Sequence, residues 1–144
     1  MIALPDVNVL VALAWPNHVH HDAAWAWFHA DRDEGWATCL LTEAGFVRVS
    51  CNRSAVGHSV TPLDAIGVLH ALTRLGSHRF WPLDRPISTL PDSVSARLQG
   101  YRQVTDAVLL AAAIQRGGQL TTLDGGLQGL VPTRHQASLR VLPV

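Results

Sequence analysis

The amino-acid sequence predicts an α/β fold in which helices flank a central parallel sheet. Short apolar runs of strand length alternate along the chain with longer segments of helical periodicity. Such alternation is typical of parallel strands that are joined by helical crossovers. Hydrophobic residues make up 48% of the 144 residues, which is enough to build a substantial core. We therefore expect a single α/β domain spanning residues 1–144.

The first half of the chain predicts two strands and four helices, and local signals place several of their ends. Pro5 suits the end of the first strand because proline cannot donate a hydrogen bond within a sheet. Thr42 is predicted to cap the third helix, which places Glu43 in its first turn. Thr61 followed by Pro62 gives the clearest helix start in the chain. The predicted elements are strands 2–4 and 36–39, helices 7–15, 18–32, 42–51 and 61–75, and a loop at 52–60.

The second half is organised around one helix that begins at Val104. This helix is apolar on nearly every side and is therefore expected to be buried. Gly117 and Gly118 are its stop signal, and a strand that ends on Asp124 follows. The remaining predicted elements are strands 79–83, 119–123 and 139–142, a loop at 84–92, a short helix at 93–99 and a turn at 125–130.

Composition and charge exclude several classes of protein. The formal net charge is zero, so the sequence does not indicate a surface that binds nucleic acid by charge alone. All eleven strong bases are arginine. No apolar run reaches the roughly 18 residues that cross a bilayer, and the N-terminus lacks the features of a signal peptide, so the cytoplasm is the expected location. Cys39 and Cys51 lack metal-site spacing and are expected to be buried thiols.

Four acids stand in apolar surroundings, namely Asp6, Glu43, Asp106 and Asp124. Burying a carboxylate is costly unless it is paired, hydrogen-bonded or bound to a cation. Two of these acids follow predicted strands and two open predicted helices, positions that meet at one edge of a parallel sheet. We therefore expect the four to converge on one pocket. Asp64 is set aside because it has a sufficient role in the capped first turn of its own helix.

Converging carboxylates repel one another, and a divalent cation relieves that repulsion. A set of oxygen ligands without cysteine or histidine favours Mg²⁺, or Mn²⁺, over zinc. Magnesium held by carboxylates is a common device for phosphate chemistry. Each acid taken alone can equally be a helix cap or a surface residue, and Asp124 before two glycines can simply begin a turn. The joint pattern is what favours a metal site.

Four stretches in order make the chain resemble the PIN-domain ribonucleases, and specifically the VapC toxins of toxin–antitoxin pairs. They are PDVNVL around Asp6, LTEAGFVRV around Glu43, VTDAVLLAAA around Asp106, and TTLD ending at Asp124. The resemblance covers essentially the whole chain. It implies a PIN-like fold with a central parallel sheet in a three-layer α/β/α arrangement, and a Mg²⁺-dependent endoribonuclease site.

The resemblance also implies roles for individual residues. Asp6 and Asp106 would be direct metal ligands, and Glu43 and Asp124 would complete the acidic pocket, partly through water. Asn8 and Thr122 would be supporting polar residues. RNA would be hydrolysed to leave a 3′-hydroxyl and a 5′-phosphate. The implied partners are a VapB-like antitoxin whose C-terminal segment covers the active site, and a second copy of the chain in a homodimer.

Two departures from the family pattern each remove one polar group. Val7 replaces the Thr or Ser that often follows the first aspartate, and Gly125 replaces a basic residue that often follows the last.

Arg48 and Arg102 lie close in sequence to Glu43 and Asp106 and are predicted to contact RNA phosphate.

Two other functions stay open. One is a haloacid-dehalogenase-like phosphatase, against which Asn8 in place of a second aspartate and the absence of lysine both argue. The other is a PIN-like module that only binds RNA or protein. Such a module is expected to have lost one or more of the four acids, all of which are present.

Overall fold

The computed structural model describes residues 1–144 and contains one five-stranded, wholly parallel sheet. The strand order is β3-β2-β1-β4-β5, so β1 lies at the centre. The strands are β1 (Ala3–Pro5), β2 (Trp36–Thr38), β3 (His78–Phe80), β4 (Gln119–Thr122) and β5 (Leu139–Val141). The predicted parallel sheet flanked by helices is confirmed.

Seven α-helices connect these strands and cover them. They are α1 (Val7–Ala14), α2 (His21–Asp31), α3 (Leu40–Ser50), α4 (Arg53–Val56), α5 (Pro62–Leu72), α6 (Asp92–Ser95) and α7 (Val104–Gln115). Short 3-10 helices occupy Ile87–Thr89, Tyr101–Gln103, Gly125–Leu130 and Thr133–Ser138. No helix is long and apolar enough to span a membrane.

The sheet separates two hydrophobic cores, which gives the three layers. Successive strand residues face opposite sides: Ala3 and Trp36 pack with α1, α2, α3 and α5, whereas Leu4 and Ala37 pack with α7 and the 3-10 helix Gly125–Leu130. All of these strand residues are buried. Burial on both faces explains why β1 and β2 are short runs of mostly apolar residues, whereas the edge strands β3 and β5 each carry an exposed polar residue.

Several predicted boundaries were wrong by one to four residues. Cys39, and not Thr42, is the N-cap of α3; Thr42 is the third helical residue, and its hydroxyl accepts a hydrogen bond from the Cys39 N–H at 3.0 Å. The predicted loop 52–60 contains α4, which Asn52 caps by accepting from the Ser54 N–H. The predicted strand 79–83 is β3, which begins at His78 because it pairs in register with Trp36.

The central strand and the apolar helix end as the sequence predicts. Pro5 is the last residue of β1, and the ladder continues through the Asp6 N–H, which donates to the Thr121 carbonyl at 2.8 Å. Gly117 follows α7 with a φ of +62°, a conformation that favours glycine. Gly118 lets the chain pass tightly into β4, since a Cβ there would lie 2.7 Å from the Ile2 carbonyl.

Candidate active site

The four acids predicted from the sequence all lie at the carboxyl edge of the sheet. Asp6 directly follows β1, and Asp124 lies two residues beyond β4. Glu43 and Asp106 are in the first turns of α3 and α7. Parallel topology therefore brings residues from distant parts of the chain to one edge.

Asp6 is the most deeply buried of these acids, with 8% of its surface exposed. One carboxylate oxygen, Oδ1, caps α1 by accepting from the Val7 N–H at 2.7 Å, and Oδ2 accepts from the Thr122 hydroxyl at 3.0 Å. Burial raises the pKa of Asp6, and the negative charge of Asp124 adds to this, while the two hydrogen bonds oppose it. The carboxylate is thus fixed in place but incompletely neutralised.

Thr122, the last residue of β4, organises the polar groups around Asp6. Its hydroxyl donates to Asp6 and accepts from the Asn8 amide at 3.2 Å and from the Asp124 N–H at 3.1 Å. The Asn8 side chain also accepts from the Leu123 N–H at 3.1 Å. These bonds tie α1 to the end of β4 and orient Asp6.

Asp106 is the third residue of α7 and is half-buried. Its pKa is raised to about 6, first by desolvation and then by the negative charges of Asp6 and Asp124. The three aspartates are therefore close enough to repel one another. The two ion pairs in the structure, the N-terminus with Glu34 and Arg140 with Asp31, involve none of them.

Asp124 lies at the exposed side of the cluster. Its Oδ1 caps the 3-10 helix Gly125–Leu130 by accepting from the Gly126 N–H at 2.8 Å. A Cβ at position 126 would stand 3.0 Å from that oxygen, so glycine allows the close approach. The other carboxylate oxygen has no hydrogen-bond partner in the protein.

Glu43 stands apart from the three aspartates. It is not among the charges that raise the pKa of Asp6 or Asp106. Its Oε2 accepts a hydrogen bond of 2.5 Å from the Thr38 hydroxyl, which in turn lies 2.9 Å from Nε2 of His78. Sequence reasoning missed Thr38 and His78. The position of Thr38 at a strand end, five residues before an acid in apolar surroundings, was the available signal.

The two arginines predicted to contact RNA are both exposed. Arg102 lies in the 3-10 helix just before α7, four residues from Asp106, and its guanidinium packs over the Tyr101 ring. Arg48 is in the last turn of α3, five residues beyond Glu43, which is about 7 Å along the helix axis. Arg102 is thus held by a neighbouring ring, and no hydrogen bond or ion pair holds the Arg48 side chain.

The chemistry of the acidic cluster fits a hard divalent cation. The donors are all oxygen, they repel one another, and no base pairs with them. No three histidine, cysteine, aspartate or glutamate side chains are already arranged at metal-binding distances. The side chains that could hold such a cation are those of Asp6, Asp106 and Asp124.

Fold and site together define a parallel α/β protein with an unneutralised acidic site at the carboxyl edge of its sheet. Comparison with known proteins agrees with this class. The PIN domain family matches residues 3–130. Ribonuclease VapC39 of Mycobacterium tuberculosis H37Rv is 50% identical over 127 residues, covering 88% of this chain and 91% of the relative.

Ribonuclease VapC38 of the same organism is 47% identical over 143 residues, with 99% of each protein covered. The crystal structure of M. tuberculosis VapC20, described as a sarcin-ricin loop cleaving toxin, superposes with a TM-score of 0.63. That structure is 17% identical and covers 91% of this chain and 98% of its own, so it bears on the fold alone. The chain belongs to the PIN-domain family and, within it, to the VapC ribonuclease toxins.

Proposed function

We propose that this VapC-family ribonuclease toxin is a Mg²⁺-dependent endoribonuclease that hydrolyses phosphodiester bonds in RNA. The observation that carries the proposal is the cluster of Asp6, Asp106 and Asp124, three mutually repelling carboxylates without a basic partner at the sheet edge. Repulsion within such a cluster destabilises a protein that has no bound cation. Bound Mg²⁺ would neutralise the carboxylates and remove this cost.

Each acid has a distinct role in this proposal. Asp6 and Asp106 would hold Mg²⁺ or Mn²⁺ directly, because burial and neighbouring negative charge raise the pKa of both carboxyl groups. Asp124 and Glu43 would act from the rim, partly through water: the Asp124 side chain is exposed, and Glu43 is not among the charges that raise the pKa of Asp6 or Asp106. When bound, the cation supplies positive charge to the phosphoryl oxygens and lowers the pKa of the attacking water.

The chain itself orients these groups. Thr122 and the Val7 N–H hold the two oxygens of Asp6 in fixed directions before any cation arrives. Asp106, with its pKa of about 6, is mostly ionised at neutral pH, and protonation at lower pH competes with cation binding. Arg102, beside the start of α7, is placed to contact an RNA phosphate on the approach to the site.

The proposed substrates are RNAs of the translation machinery, either tRNA or rRNA, so that cleavage inhibits translation in the cytoplasm. Membership of the VapC ribonuclease toxins supports RNA as the target. Net charge gives no preference for one RNA over the other.

The proposed regulator is a VapB-like antitoxin that covers the active site with its C-terminal segment. An apolar groove between the start of α3 and α7 supports a protein partner: exposed Leu40 and partly buried Val108 both line it. Phe80 and Ile87 also belong to the exposed apolar lining.

We also propose that the protein is a homodimer within the toxin–antitoxin complex. Light scattering on the purified protein tests whether it forms this dimer.

The decisive experiment is cleavage of total cellular RNA by purified protein, with Mg²⁺, with Mn²⁺ and with EDTA, beside the Asp106→Asn variant. Discrete fragments that require both the metal and Asp106 are expected, and sequencing their ends identifies the RNA. If folded protein gives no cleavage with any divalent metal, the chain is a binding module and not an active nuclease.

A further inference from the structure

A second polar network joins Glu43 to Thr38, the last residue of β2, and to His78, the first residue of β3. The Thr38 hydroxyl is fully buried and stands between two partners, Oε2 of Glu43 at 2.5 Å and Nε2 of His78 at 2.9 Å. The Glu43 carboxylate makes no other hydrogen bond, so its Oε1 is free.

The directions of these bonds follow from counting protons. A threonine hydroxyl carries one proton, and an ionised carboxylate can only accept. Thr38 therefore donates to Glu43, and its remaining lone pairs accept from His78, whose Nε2 must carry a hydrogen. Burial lowers the pKa of His78, although the charge of Glu43 opposes this, so the ring is neutral with its one proton on Nε2.

The core fixes the position of His78. Its ring packs edge-on against Trp36 with centroids 4.7 Å apart, and the strand register places the two residues side by side. Trp36 is 1% exposed and is itself held by a hydrogen bond of 2.9 Å from its indole N–H to the Leu75 carbonyl. The network thus extends from a rigid part of the core to an acid at the site.

We propose that His78 is a positioning residue of the acidic site, which holds the Thr38 hydroxyl in the orientation that fixes Glu43. Glutamate is long and flexible, so a carboxylate on the first turn of α3 is costly to order without a fixed donor. Partners that hydrogen-bond a metal-binding carboxylate commonly tune metal affinity. This inference rests on the proposed metal-dependent function and adds two residues, Thr38 and His78, to its site.

The test compares two amides at position 78. In His78→Gln the amide nitrogen reaches the position of Nε2, whereas in His78→Asn it falls short at the position of Nδ1. Mn²⁺ affinity is measured by titration calorimetry, and thermal unfolding confirms that each variant is folded. We expect His78→Asn to weaken Mn²⁺ binding by about three- to tenfold, the range that one lost hydrogen bond produces. His78→Gln is expected to stay within about twofold of the parent.

A mutant cycle separates positioning from a general structural role. Thr38→Val removes the hydroxyl through which His78 acts, so adding His78→Asn to it should cause no further loss of affinity. His70→Asn, at an exposed position on α5, is the matched control and should bind Mn²⁺ as the parent does.

Two results would overturn the inference: Mn²⁺ affinities of His78→Asn and the parent that agree within error, or additive losses in the double variant. Asp106→Asn, run in parallel, keeps this outcome distinct from failure of the proposed function. If Asp106→Asn loses Mn²⁺ binding and cleavage while His78→Asn does not, only the role of His78 is wrong. If Asp106→Asn retains both, the metal-dependent function itself is wrong.

Discussion

Helices α5 and α7 begin alike but use their first acid in opposite ways. In both helices an aspartate is the third residue, Asp64 in α5 and Asp106 in α7. A carboxylate in the first turn is stabilised by the helix dipole in either case. From the helix position alone, the two acids are indistinguishable.

Their surroundings separate them. In α5 the Thr61 hydroxyl caps the helix by accepting from the Asp64 N–H at 3.1 Å, and the Asp64 side chain is exposed. In α7 the N-cap residue Gln103 makes no capping bond because its side chain accepts from the Gln99 N–H instead. Asp106 is half-buried beside two other aspartates. Burial and neighbouring charge, and not helix position, distinguish Asp106 from Asp64.

The largest expected difference between the two acids is in catalysis. Asp106→Asn should reduce Mg²⁺-dependent RNA cleavage by about a thousandfold or more, because a divalent cation contributes several kcal/mol to stabilising the transition state. Asp64→Asn, the matched control, should cleave at the parental rate. Initial rates on one defined RNA measure both. Equal rates for the two variants would remove the functional distinction between the helices.

Asp124→Asn should give a loss between these extremes, about ten- to hundredfold in cleavage rate. Asp124 is exposed, and its Oδ1 already accepts from the Gly126 N–H, which an asparagine oxygen can still do. The same assay measures this rate. A loss as large as that of Asp106→Asn would make Asp124 a direct ligand and not a rim residue.

Substitution of Asp106 and of Asp64 by asparagine should also change the free energy of unfolding in opposite directions. Because the pKa of Asp106 is raised from 3.8 to about 6, the folded state binds this proton more tightly than the unfolded state. The ionised group therefore destabilises the fold fully above about pH 6, and this penalty fades as the pH falls toward 3.8. Without metal at pH 7.5, Asp106→Asn should raise the free energy of unfolding by about 1 kcal/mol, with solvent screening included.

Thermal unfolding at two pH values tests whether Asp106→Asn stabilises the metal-free protein. A gain of about 1 kcal/mol corresponds to a Tm higher by about 3 °C for a chain of this size. The gain should shrink at pH 4.5, and added Mg²⁺ should stabilise the parent but not the variant. A variant less stable than the metal-free parent at pH 7.5 would contradict the repulsion among the three aspartates.

The smallest expected effect concerns Asp64. Asp64→Asn removes only a favourable interaction with the helix dipole and should lower the free energy of unfolding by about 0.3–0.5 kcal/mol. Thr61→Ala, which removes the cap, should cost more, about 1 kcal/mol. Urea unfolding of both variants gives the comparison. A larger cost for Asp64→Asn than for Thr61→Ala would show that Asp64 does more than support the cap.

The sequence predicts the elements of this fold better than their limits. Apolar periodicity and Gly117 identify α7 and its end because both signals are local. The N-cap of α3 was predicted at Thr42 because threonine is a good cap, whereas the end of β2 sets the N-cap three residues earlier, at Cys39. The limits of β3 depend on pairing with β2, which no local pattern reveals.

For the site too, the sequence predicts where residues lie better than it predicts which side chains contact one another. Topology alone predicts that acids after strands and at helix starts share one edge, and the structure places all four there. It does not predict that Glu43 accepts a hydrogen bond from Thr38, since this depends on side-chain contacts. His78 could not be found from the sequence, because its link to Thr38 exists only through the register of β2 and β3.

The central place of β1 has a consequence for how the protein is made. Residues 3–5 are synthesised well before their partner strand β4, and Thr122 bonds to Asp6 across 116 residues of sequence. A growing chain therefore contains β1 long before it contains β4. Closing so long a loop is slow relative to forming local helices. The acidic site therefore assembles only after β4 has been made, and a chain that ends before Thr122 lacks the hydroxyl that orients Asp6.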